Sequence, residues 1–310
     1  DDVLAHREIV FARTSPALAV KKFARNIEQD PANFRTRAAL AAAQAHLRGI
    51  MDADASSAPL SLVHRFLWDR YRGVRQDLFV QGMADGFAAT LCEEHVRFMV
   101  LAEHELCELT PRAGEAETFD SHLNLEQINK ALITLGDMYD AAALAGAPLG
   151  GEAEFRGYHV LTLAGTHGRY RFSAAVLQDA LAHLRPETLA SAPVQRALGF
   201  ARALAAGDWA GFFARLAAAP YLDACLAHMY VRHVRARALT ALCAACGGQA
   251  VPAEDVARML GTDDGDDARG LFAAAGLEPG PPADNGAPTL VLPRGHAVDA
   301  DALPKRRFAS

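Results

Sequence analysis

Between residues 60 and 245 apolar side chains return every three or four positions, segment after segment. A chain with that period must bury helix faces against other helices. Over 60–81, Val63, Phe66, Leu67, Val74 and Leu78 recur at helical spacing. Residues 87–109 are apolar on more than one side, the pattern of a central, well-covered helix. Leu125, Ile128, Leu132, Leu135 and Tyr139 stripe the next helix, which Gly146-Ala-Pro148 ends. Helices are expected to continue at 152–165, 173–182, 192–206, 208–218 and 221–245, with Pro220 parting the last two. Asn124, with Gln127 three residues on, has the spacing of a capping box, and Asp208 stands as N-cap before Trp209, Phe212, Phe213 and Leu216. Upstream, 16–28 and 34–51 read as short helices parted by Asp30-Pro31. Residues 52–59 are a polar linker, and 110–121 form a loop with Pro111 and Gly114. Helix pairs joined by short loops predict a mainly α fold, a helical-repeat α-solenoid, and abundant alanine supports it. No repeat of fixed period is strong enough to name.

The last 65 residues change character. Residues 251–261 and 266–280 read as short helices, the second closed by Gly276. TLVLP (289–293) is the clear β run, with a second strand expected near 296–299. Helix, helix, strand, turn, strand is the order of a winged helix with a small β hairpin, a relative of the helix-turn-helix. The division expected is an N-terminal helical segment and linker over 1–59, helical repeats over 60–245, and a winged-helix subdomain over 246–310.

Hydrophobic residues make up 51% of the 310 and charged residues 22%, so a sizeable core is within reach. The net charge of -6 excludes a polybasic nucleic-acid binder as a whole; any such surface must be local. Five cysteines, an odd number set among apolar helical residues, fit a reducing compartment. No apolar run of 18 or more is present, so no membrane association is expected, and no signal peptide is visible. Because residue 1 is Asp1 and not Met, a fragment of a longer protein is expected.

Candidate chemistry is sparse. Cys243 and Cys246 form C-A-A-C inside a helix without a second pair, which favours core packing over zinc. His95, Glu103 and His104 share a helical stretch but do not make H-E-x-x-H. Glu93-Glu94 reads as a solvated or ion-paired couple. Glycine-rich phosphate loops and G-x-S-x-G are absent, so no catalytic residue, cofactor or metal is expected. On the helix 60–81, Arg70 and Asp77 fall inside the apolar arc. Buried charges need partners, and Glu94 and Arg97 on the next helix are the candidates. Basic residues gather late: Arg232, Arg235 and Arg237, then Arg258, Arg269, Arg294, Lys305, Arg306 and Arg307. These are the candidate nucleic-acid contacts, with Asp263, Asp264, Asp266 and Asp267 opposing them and a solvated mixed surface as the rival reading.

Five ordered blocks carry a resemblance. FLWDRYRGVRQDLFVQG (66–82) resembles the W-x-R-x-R-x-I-R-x-D signature of the germinal-centre-associated nuclear protein family and its yeast counterpart. EEHVRFMVLAEHELCE (93–108) is similar to the next signature helix, FDSHLNLEQINKALITLGDMYD (119–140) to F-D-x-x-x-N-x-E-Q-x-N-K-x-L-x-x-L, and EAEFRGYHVL (152–161) to E-A-E-F-x-x-Y. GDWAGFFARLAAAPYLDACL (207–226) resembles N-x-x-R-F-F…A-P-Y-L, with Gly211 where the family often has Arg. LPKRR (303–307) closes the tail, and the likeness runs from AVKKFAR (19–25) to the end, without the Cys-rich segment that precedes this region in the family. The resemblance implies a PCI-type architecture and a scaffold role in the nuclear TREX-two complex at the nuclear pore. It implies three partners: a second PCI-domain protein, a small acidic Sem-type protein, and RNA or DNA held with little sequence preference on paired winged helices. A PCI subunit of another assembly, the proteasome lid or a splicing-linked sister complex, is the rival that the 119–140 block disfavours.

Overall fold

The structure, a computed structural model, describes residues 20–25, 31–52, 59–109, 119–165, 174–262 and 265–304. Two compact units divide at His95 and Val96, inside a helix, whereas the sequence predicts breaks at 59 and 245. The fold is mainly α with one small sheet.

In the first unit α1 (Arg37–Met51) packs on α2 (Leu60–Val80), and α3 (Gly86–Leu106) begins. Thr36 caps α1 by accepting from the Ala39 amide. Leu40 and Leu47 of α1 and Leu67, Val74 and Leu78 of α2 form the core, as their spacing requires. The helix expected at 16–28 is not found over its described part. Residues 20–25 have no helical assignment, and 16–19 and 26–28 lie outside the described residues. The reason is tertiary: side chains of α2 occupy this segment's backbone groups. The Phe23 amide donates to Asp69 Oδ2 at 3.3 Å, the Gln76 amide donates to the Ala24 carbonyl at 2.7 Å, and the Ala24 amide donates back to Gln76 Oε1 at 3.5 Å. Gly73 lets the chain approach: a Cβ there would sit 3.1 Å from the Lys21 carbonyl oxygen.

The second unit holds the rest of α3, α4 (Ser121–Leu144), α5 (Glu152–Thr162), α6 (Ala174–Ala182), α7 (Pro186–Leu189), α8 (Ala192–Ala206), α9 (Trp209–Ala218), α10 (Tyr221–Ala227) and α11 (Val231–Cys246). Neighbours in sequence are mostly neighbours in space: α4 packs on α5, α8 on α5 and α9, and α9 on α10 and α11. Residue 157 must be small because Pro193 backbone atoms lie 3.1 Å from where its Cβ would be; Gly157 meets this. The helix expected at 221–245 is broken by a 3₁₀ turn at His228–Tyr230. There the Tyr230 hydroxyl donates to the carbonyls of Leu161 at 2.7 Å and Thr162 at 3.1 Å, closing the end of α5. Asp208 caps α9 through the Gly211 amide. Asn124 is no cap. Asp120 caps α4, and Asn124 is buried one turn in, donating to the Met99 carbonyl and to Glu103, both at 3.0 Å.

The chain closes with β1 (Ala250–Pro252), α12 (Ala253–Met259), α13 (Gly265–Ala274), β2 (Glu278–Pro279) and β3 (Thr289–Val291). The sheet order is β1-β3-β2, antiparallel throughout, with Val251 opposite Leu290 and Glu278 opposite Val291. The second strand of the hairpin is therefore 278–279, not 296–299. The Val298 amide instead donates to Thr240 Oγ1 of α11 at 3.0 Å, so it cannot serve a ladder. The core of this module takes Ala238, Leu239 and Cys243 from α11 together with Leu260, Leu271, Phe272, Leu290, Leu292 and Leu303. A cut at residue 246 would uncover them, so α11 is a structural part of the tail.

Candidate functional site

The signature segment of α2 is built around Asp77, which is wholly buried. Its carboxylate accepts from Lys21 Nζ at 2.8 Å, Arg35 Nε at 2.7 Å and the Arg35 amide at 3.3 Å. Burial pushes this carboxyl up, but the hydrogen bonds from Lys21 and Arg35 outweigh it and hold the pKa below the ordinary value. Arg70 does not share this role. It is partly exposed, pairs with its neighbour Asp69 at 2.5 Å and lies over the Phe66 ring at 4.5 Å. A helix carries residues 70 and 77 on slightly different sides, and the long Arg70 side chain snorkels to the rim.

Glu94 and Arg97 are not the partners of Arg70 and Asp77. Glu94 accepts from Gln44 at 2.6 Å and pairs with Arg48, both of α1. Arg97 makes a two-pronged bond to Glu154 of α5 at 2.8 and 2.7 Å and lies over Phe155 at 4.8 Å. Tyr158 also donates to Glu154 at 2.8 Å. Burial raises the Glu154 pKa, yet Arg97 and Tyr158 bring it below the ordinary value. The missed partners, Lys21, Arg35, Arg48 and Glu154, lie up to 57 residues from the charges they satisfy. The quoted AVKKFAR and EAEFRGY blocks contain two of them, the one available signal.

The other candidates are dispersed. His95 is buried, stacks on Tyr71 at 4.0 Å and shares a 2.9 Å hydrogen bond with Gln44. Burial, then the charges of Arg75 and Arg35, hold it well below its ordinary pKa, so it is neutral. Glu103 accepts from Asn124 and Ser121, while His104 meets the His228 ring edge-on at 5.0 Å. Cys243 lies in the tail core, where burial raises its pKa, and Cys246 packs beside it. Among the described residues no group of three His, Cys, Asp or Glu is placed to hold a metal.

Among the described residues, the late basic residues each have partners of their own. Arg235 is buried, donating to the carbonyls of Leu260 at 2.9 Å and Gly261 at 2.7 Å; it closes the end of α12 and cannot reach a phosphate. Arg232 is only 12% exposed and pairs with Asp301 at 2.9 Å. Arg258 is exposed and tied to Glu254 and Asp255 on its own helix, and Arg269 to Asp266. Arg294 is exposed and donates to the Gly247 carbonyl at 3.1 Å. Lys305, Arg306 and Arg307 lie outside the described residues, as do Asp263 and Asp264. Over 246–304 the sequence holds ten acidic residues against three Lys or Arg, so the tail up to Pro304 is acidic.

Signature residues in every unit thus hold the fold from within. The SAC3/GANP family model matches residues 6–280. The chain belongs to the SAC3/GANP family. SAC3 family protein B of Arabidopsis thaliana is 35% identical over 255 residues, which is 82% of this chain and 15% of that protein. Protein xmas of Drosophila melanogaster is 29% identical over 307 residues, 94% of this chain and 14% of that protein. SAC3 family protein 1 of Schizosaccharomyces pombe is 31% identical over 105 residues, 34% of this chain and 10% of that protein. The chain thus spans about one seventh of the length of the first two relatives. The family blocks map onto the internal locks: Asp77 with Lys21 and Arg35, Asn124 with Glu103, and Glu154 with Arg97 and Tyr158. No helix among the described residues is long and apolar enough to cross a membrane.

Proposed function

We propose that this chain is a non-enzymatic scaffold segment of a nuclear mRNA-export assembly of the TREX-two type. Family membership along residues 6–280 is the observation that carries the reading. The physical picture agrees with it. Charged and aromatic residues of the family blocks are used for internal locks, and the chemistry left to the surface is that of contact. On α4 the exposed Leu123, Ile133 and Leu144 follow one another at roughly helical spacing along a polar face, with Leu144 90% exposed. Exposed apolar side chains of this kind suit a protein neighbour.

In this reading α11 through β3 serve as the winged helix that pairs with that of a second PCI-domain protein. A small acidic Sem-type protein braces the pair, and nucleic acid is held weakly, without base readout, near the nuclear pore. Recovery of the tagged chain from nuclear extract tests the proposal. Co-purification of a PCI-domain protein with an acidic partner of fewer than about 100 residues and export factors is the expected result. Recovery with proteasome-lid or splicing-linked subunits instead sinks it.

A further inference from the structure

Cationic residues gather in the first unit, whereas the tail up to Pro304 is acidic. Residues 20–75 hold ten Lys or Arg against five Asp or Glu. Several of these cations are committed: Lys21 and Arg35 to Asp77, Arg37 to Asp85, Arg48 to Glu94 and Arg70 to Asp69. Two others, Lys22 and Arg25, lie on the segment of residues 20–25 that crosses α2, and both are exposed. Beneath them the Arg72 guanidinium lies 3.9 Å from the Phe23 ring centre and 4.5 Å from that of Trp68. Both rings are partly exposed. Arg65, Trp68 and Arg72 share one helical face at i, i+3 and i+7. Gly73, Asp69 and Gln76 hold the segment against α2 beside that face.

We infer that this basic–aromatic face of α2 and residues 20–25 binds single-stranded nucleic acid. The inference rests on the nucleic-acid arm of the proposed function and moves its contact on this chain from the tail to the first unit. Cations track a phosphodiester backbone, and partly exposed rings accept unstacked bases without reading them. An acidic peptide would use the cations but has no use for Phe23 and Trp68, so the interleaved rings favour a nucleic acid.

The test uses the full 310-residue chain and fluorescent oligouridine, titrated over a range of salt. The double variant Lys22→Glu, Arg25→Glu is expected to bind about tenfold more weakly, with the log–log salt slope reduced by about 1.4 for two lost phosphate contacts on a single strand. The exchange Lys22→Arg, Arg25→Lys should keep both affinity and slope. If the double variant melts early, the single changes Lys22→Ala and Arg25→Ala carry the same reading. Photo-crosslinking of iodouridine RNA to the wild-type chain gives a second readout. Adducts on Phe23 or Trp68 support the site, and adducts confined to 305–310 overturn it. Wild-type binding with an unchanged slope in the variant overturns this site while the platform reading stands. No salt-dependent binding by the wild-type chain or by its complex overturns both. Displacement by polyglutamate at lower concentration than by oligouridine overturns the site in favour of an acidic protein ligand.

Discussion

Asp77, in the last turn of α2, and Arg235, in the second turn of α11, belong to different units, both almost wholly buried and both carrying charge. Their surroundings differ in kind. Asp77 is satisfied mainly by side chains, Lys21 and Arg35, that arrive from 56 and 42 residues earlier in the chain. Arg235 is satisfied by main-chain carbonyls at residues 260 and 261, where the end of α12 concentrates negative partial charge. A side-chain network can be dismantled from either end, and each loss strands the remaining charge. A carbonyl partner cannot be mutated away, so that lock depends on the arginine alone. The Asp77 lock is therefore sensitive at several scattered positions and the Arg235 lock at one.

The largest expected effect comes from stranding the cations. Asp77→Ala should destabilise by about 3–5 kcal/mol, because Lys21 and Arg35 lose a buried counter-charge. Urea melts read the size, and hydrogen exchange should show the loss first in 20–25 and α1. A change within surface scatter would break the comparison. Arg235→Met keeps volume but leaves the Leu260 and Gly261 carbonyls without this donor, for an expected cost of about 2–3 kcal/mol. Arg235→Lys keeps the charge but not the two-carbonyl fork and should cost less than Arg235→Met; an equal cost for both would show that charge has no part in the lock. The smallest pair sharpens the role of close approach. Gly73→Ala forces a Cβ against the backbone of Lys21 and Lys22 and should cost about 1–3 kcal/mol. Gly49→Ala in α1, with nothing within 4 Å, should instead stabilise by about 0.5–1 kcal/mol. The two signs, read by thermal melts, must differ.

In the tail some expected elements are found, yet they do not decide which side chains face the core. Gly276 ends a helix at a φ of +70°, as expected, and TLVLP contains a strand. Arg232 and Arg235 still looked like surface charges, because their helix resembles any basic amphipathic stretch. Only the packing of α11 into the tail core turns one of them inward. Likewise Asn124 satisfies the local capping pattern, yet Asp120 does the capping and Asn124 is drawn into a contact with Glu103. Local signals place donors and acceptors; they do not choose among partners.

The sequence by itself determined most of the helices from residue 60 onward, because a 3.6-residue apolar period leaves few other ways to bury those side chains. It also determined the family, because the family model matches residues 6–280. Tertiary structure alone decided that 20–25 is not helical, since its amides and carbonyls are taken by a hydrogen bond to Asp69 and one from Gln76. It alone decided which charges meet: Asp77 with Lys21 and Arg35, Glu94 with Arg48, Arg97 with Glu154. The physical reason is range. Periodicity is written within one helix, whereas the partner of a buried charge is fixed by which distant segment the packing brings within hydrogen-bond reach.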